Sequence, residues 1–206
     1  LLYPTSIPGV VTCNMTNAIG VDGTKAEDLT AAQILCRRQI PLIVKFLREH
    51  APGYENCHLL SAGAQIGVRE TRHFIGVSTL TEDDIAAARV FPDWVVTKAH
   101  FNFDIHNIKG AGLDEHGEQH HFKQAKGYTI PYGCLVPRRI DGLLLAGRII
   151  SGTHKAHSNF RVMPICANIG QAAGTAAALA AKRGVAPRDL PVTDIQAALK
   201  RQGVEV

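Results

Sequence analysis

Three groups of side chains in this chain are of types and spacings that could do chemistry. Arg69-Glu70-Thr71-Arg72 sets two guanidiniums three residues apart beside an apolar run. Arginine offers a fixed fork of donors that suits carboxylates, so one of the pair could face a ligand's oxygen; a surface ion pair with Glu70 is the plainer account. Asp104-Ile105-His106 alternates polar and apolar as a strand does, which puts Asp104 and His106 on one face. A neutral histidine held by a carboxylate is common as mere structure. At a substrate cavity the same His106 is a proton-transfer candidate, because its ordinary pKa lies near neutrality. His154 and His157, three apart and followed by Arg161, form the third group. They would need further partners to ligate a metal, and no H-E-x-x-H or Cys/His cluster supplies them, so no metal is expected. His116, His120 and His121 fall in a Gly- and Glu-rich stretch and read as solvated.

The segment that must position the third group runs from Leu143 to Ala181. Leu143, Leu144, Leu145 and Ala146 form a continuous apolar run, as a strand buried on both faces would. Gly147 stops it, and open α/β sheets bind ligands at the carboxyl ends of such strands. A helix is predicted from about Pro164, since the missing N–H of proline costs nothing at a first helical position. Val162 and Met163 precede that proline where a capping Ser, Thr, Asp or Asn would be usual. A helix start left uncapped just after Arg161 is suited to a ligand's anionic or carbonyl oxygens. Gly170, Gly174 and Ala178 then recur every four residues, with Ala173, Ala177 and Ala181 beside them. Such a stripe serves either tight packing on a sheet or the close approach of a flat group. Taken with the strand, the glycine and Arg161, it points to a cofactor site.

LLLAGR, then His154 to His157, then RVMPICANIGQAAGTAAA resembles the C-terminal flavin-binding segment of FAD-dependent oxidoreductases related to fumarate reductase flavoproteins. The likeness extends to Asn14–Gln33, Gly67–Gly76, Asp104–Asn107 and Ile130–Pro137, and so covers nearly the whole chain. It implies noncovalent FAD, with Gly147, Arg148, Ser151, Arg161, Met163, Pro164, Gly170 and Gln171 against the cofactor. It also implies Arg69, Arg72, His106 and His154 or His157 at a small organic substrate that exchanges a hydride with the flavin. The family's G-x-G-x-x-G turn for the ADP half is absent: Gly110-Ala111-Gly112 is followed by Glu115 where the third glycine should stand. The chain also begins at Leu1 in a turn-rich run. The expectation is therefore a C-terminal fragment, with weak FAD affinity or none when alone and a missing N-terminal FAD-binding half as its partner. A non-catalytic remnant acting as a subunit or interaction domain, self-associating through the apolar surface where an N-terminal half should dock, is the alternative. A metal enzyme built on residues 116 to 121 is a third reading.

Composition bounds the rest. Over 206 residues, 46% hydrophobic and 19% charged describe an ordinary globular core. The net charge of +4 is scattered, with no basic run beyond Arg37-Arg38 or Arg138-Arg139, which gives nucleic-acid binding little support. Five cysteines without a C-x-x-C pair suggest reduced thiols and a cytoplasmic setting. No apolar run reaches the ~18 residues that span a bilayer. The fold class expected is α/β (or α+β): a mixed sheet with flanking helices over residues 1–136, and the C-terminal strand-helix part of a Rossmann-like FAD-binding domain over 137–206.

Among the elements, strands are predicted within residues 7–20, 57–62, 73–79, 94–104 and 128–136, and a polar loop over 109–126. Thr24-x-x-Glu27 predicts a capped helix to about His50, with a kink or break at Pro41. Thr81-x-x-Asp84 predicts a short helix, and Thr193-x-x-Gln196 caps a last one that Gly203 ends.

Overall fold

The computed structural model describes residues 2–105 and 125–205. His106, Asn107 and the polar loop as far as residue 124, with its three histidines, lie outside the described residues. The described chain is a mixed α/β structure of five α-helices and two small antiparallel sheets, in two compact units divided after Thr71.

The first unit opens on a hairpin, β1 (Leu2–Pro4) against β2 (Val11–Cys13). Helix α1 (Ala26–His50) follows. Its cap differs from expectation. Lys25 occupies the N-cap position without a side-chain bond, because the Thr24 hydroxyl donates to Asp22 Oδ1 (2.7 Å). Asp22 also accepts the Thr24 N–H (3.0 Å), a local turn that takes Thr24 away from capping. Nor does Pro41 break α1. Arg37 and Pro41 are both exposed, so water can satisfy the carbonyl that proline leaves without its helical donor. Residues 57–62 form no strand; Leu59 and Leu60 are exposed and no ladder partner meets them.

The second unit holds the hydrophobic core. β3 (Trp94–Ala99) pairs with β4 (Tyr128–Pro131), with irregular register between Trp94 and Ala99. Trp94, Val95 and Val96 are all buried, since α4 (Met163–Arg183) and α5 (Val192–Arg201) pack on this hairpin. Short α2 (Glu82–Ala86) has the capping box read from Thr81 and Asp84. It packs near β4 and α3 (His154–Phe160). At the start of α5 the cap is Pro191; Thr193 lies inside the helix, and Gln196 instead donates to the Pro92 and Trp94 carbonyls (2.8 and 3.1 Å).

Two expected strands in this unit are not formed. Over residues 73–79 only an isolated bridge, Gly76 to Pro137, appears. Proline has no N–H with which to extend it, and Gly76 packs so closely that a Cβ there would sit 2.8 Å from the Gly133 carbonyl oxygen. Leu143 to Ala146 is an extended segment outside any sheet. Only Leu145 is buried, and its N–H bonds to the Leu135 carbonyl (2.8 Å). The apolar run is thus one core anchor with flanking side chains, not a strand covered on both faces. Gly147, at φ +66°, then turns the chain into a 3-10 turn, Gly147–Ile149. Among the described residues no single helix is long and apolar enough to cross a membrane.

Candidate functional site

The junction between α3 and α4 carries the site. Thr153 caps α3 by accepting the Ala156 N–H (3.1 Å), and its own hydroxyl donates to Glu82 Oε2 (2.7 Å) on α2. That bond holds the Glu82 carboxyl below its usual range. α3 runs seven residues and stops at Arg161, in helical geometry as its C-cap. Val162 is extended, and α4 sets off at 95° to α3. No side chain caps α4, a proline lies in its first turn, and Met163 stands 86% exposed. Among the described residues, Val162 therefore gives the start of this 21-residue helix no side-chain cap.

Charge gathers at that end. The Arg161 Nη2 donates to Asp104 Oδ2 (2.5 Å) and to the Asp104 carbonyl (3.1 Å), with the guanidinium largely buried. Arg148, on the 3-10 turn that packs against α4, is exposed. Burial raises the pKa of Cys166 in the first turn of α4, while Arg148 and Arg161 pull it back down, so both guanidiniums bear on this turn. A helix start with free donors and two cations nearby can hold an edge rich in carbonyl or anionic oxygens. The pyrimidine side of a flavin has such an edge.

The remaining expected site residues are placed variously. Gly147 adjoins Arg148 and is half-buried, while Pro164 is exposed beside Met163. Ser151 is buried, its hydroxyl 2.9 Å from that of Thr79 and its N–H on the Cys134 carbonyl. His154 is exposed at the start of α3. His157 is buried, its ring 4.8 Å from that of His73 and edge-on to Phe160 at 5.4 Å. Arg72 is exposed in the second unit, whereas Arg69 belongs to the first. Gly170 and Gly174 are exposed, and a Cβ on either would meet nothing within 4 Å. The stripe is thus an open face of α4; the helix instead packs through Ile165, Ile169, Ala172, Ala173, Ala176 and Ala180. Gln171 reaches Gln202 (2.9 Å) on that open side.

Two site features were not found by reading the sequence. One is that Asp104 serves Arg161. The other is Asn159, fully buried on α3, which accepts from the Tyr128 hydroxyl (2.8 Å) and donates to the Phe101 carbonyl. Partners 57 and 58 residues apart leave no local signal.

Neither the curated proteins nor the solved structures include a match to this chain. The model of the family described as FAD dependent oxidoreductase matches residues 2–199, nearly its whole length. With that match over nearly its whole length, this chain belongs to the FAD dependent oxidoreductases, a family whose cofactor is FAD.

Proposed function

We propose that the chain supplies the flavin-ring and substrate side of an oxidoreductase that holds FAD noncovalently. When bound, FAD would accept or give a hydride in exchange with a small organic substrate, and the protein contributes position and electrostatics. The single observation behind this reading is the uncapped start of α4 with Arg161 and Arg148 beside it. The Gly147-Arg148 turn, Arg161, Met163 and Pro164 would hold the pyrimidine and ribityl side, with Ser151 supporting the turn from beneath. Arg72, His106 and one of His154 or His157 would orient the substrate and move its proton. Residues 137–206 would then be the FAD-binding part and residues 1–136 the substrate side.

The ADP end is proposed to be held by a complementary N-terminal half, docked on the open Gly170, Gly174 and Gln171 face of α4. Among the described residues nothing lies within 4 Å of where a Cβ on Gly170 or Gly174 would sit, which supports that reading. Titration of the 206-residue chain with FAD and with FMN tests both ideas. FMN and FAD should bind weakly and about equally, since only the shared flavin end is recognised. Tight, stoichiometric FAD in the purified chain would overturn the divided site. No binding of either flavin at millimolar concentration, with Arg161→Ala indistinguishable from the parent, would favour the non-catalytic interaction domain.

A further inference from the structure

Resting on that reading of Arg161, we propose that Asn159 is a positioning residue: it clamps the end of α3 to the segment carrying Asp104 and so fixes the Arg161 guanidinium. The geometry is a closed ring. Asn159 Nδ2 donates to the Phe101 carbonyl, and two residues on, Arg161 donates to both the carbonyl and the carboxylate of Asp104. Residues 101–104 and 159–161 are thereby tied together at both ends. A single bond at Arg161 would let the junction pivot; two bonds this close in sequence do not.

The chemistry requires an amide at position 159. Asn159 is fully buried and lies between a donor, the Tyr128 hydroxyl, and an acceptor, the Phe101 carbonyl. Only a side chain that accepts at one atom and donates at another satisfies both. The amide orientation is fixed by its neighbours, because the flipped form would set its oxygen against the Phe101 carbonyl oxygen. Tyr128 is itself fully buried at the start of β4, so the clamp is referred to the core hairpin instead of to solvent-facing loops. Burial also raises the phenol pKa strongly, which keeps the hydroxyl a donor across the working pH range.

Asn159→Leu removes both bonds while keeping the branch at Cγ, and Tyr128→Phe removes one hydroxyl as the milder variant. In the 15N-arginine-labelled chain without flavin, side-chain N–H exchange of Arg161 should speed up by roughly tenfold or more in Asn159→Leu. Tyr128→Phe should show a smaller increase, with circular dichroism unchanged in both. In the flavin-loaded protein, the midpoint potential of the bound flavin should fall, because a disordered guanidinium stabilises the reduced flavin's negative charge less well. Unchanged Arg161 exchange in a folded Asn159→Leu or Tyr128→Phe variant would overturn the clamp. Faster exchange with an unmoved potential would uphold the clamp and overturn the placement of Arg161 at the flavin, so the two ideas fail separately.

Discussion

Arg161 binds Asp104 twice through one nitrogen: its Nη2 lies 2.5 Å from Oδ2 and 3.1 Å from the main-chain oxygen. The guanidinium spreads its donors over three nitrogens in one plane, whereas a lysine ammonium gathers them on one atom and, held at Asp104, would have no second nitrogen to turn to a ligand. Arg161→Lys should therefore weaken flavin binding by about 10- to 100-fold, in keeping with ~1.5–3 kcal/mol for a hydrogen bond to a charged group. Asp104→Asn should weaken it less, because the main-chain acceptor remains. Isothermal titration with FMN measures both, and equal affinities for parent and Arg161→Lys would remove Arg161 from the site.

The uncapped start of α4 makes a prediction of opposite signs. Val162→Asp supplies the missing cap and should stabilise the fold by about 1 kcal/mol, or ~2–4 °C in Tm for a chain of this size. The same carboxylate would occupy the N–H donors and repel anionic oxygens, so flavin affinity should drop as stability rises. A variant that gains stability and keeps its affinity would show that those donors serve no ligand.

How far such features could be read from sequence depended on how local they are. The Thr81–Asp84 capping box and the proline start of α4 rest on residues within one turn, and both form as expected. Thr24 has the same spacing, yet Asp22 two residues upstream competes for its hydroxyl, which a spacing rule does not weigh. Strands fared worse, because a strand needs a partner from elsewhere. Leu143 to Ala146 has the composition of a buried strand, but only Leu145 reaches the core. Of the site, the charged end of α4 was visible in Arg161 and Pro164. The clamp at Asn159 was not, since it depends on a carbonyl and a phenol distant in sequence.

Acid should weaken the capped start of α2. Burial alone would raise the Asp84 pKa, but bonds from Thr81 and the Arg89 guanidinium outweigh it and leave the carboxyl below its ordinary value. A depressed folded-state pKa stabilises above the unfolded value of about 3.9 and is lost as pH falls through the folded one. Asp84→Ala should therefore cost about 1–2 kcal/mol at pH 7 and progressively less below about pH 4. Urea melts of both proteins at pH 7 and pH 3 check this; a cost that does not shrink in acid would assign the loss to packing instead.

The thiols should react in order of exposure. Burial raises the Cys134 pKa to about 12, and the side chain is fully covered, so neither thiolate nor access is available. Cys13 is exposed in β2. Iodoacetamide at pH 8 should modify Cys13 first and Cys134 only after unfolding, as peptide mass mapping would show. Early labelling of Cys134 would mean that the core around β4 opens readily.

The open stripe on α4 separates helix stability from contact. Glycine inside a helix costs about 0.5–1 kcal/mol against alanine, and among the described residues the added methyls at Gly170 and Gly174 would meet nothing within 4 Å. Gly170→Ala and Gly174→Ala should each raise Tm by a few degrees, which makes glycine there unfavourable for the chain by itself. The proposed docking on α4 would account for glycine at both positions. Leucine at the same positions should also fold, since both glycines are exposed, yet it would hold a docked half or a flat cofactor away from the helix. Loss of flavin or partner affinity by tenfold or more with undiminished Tm is the expected result for the leucine variants. Affinity that survives leucine at both positions would mean that nothing docks there.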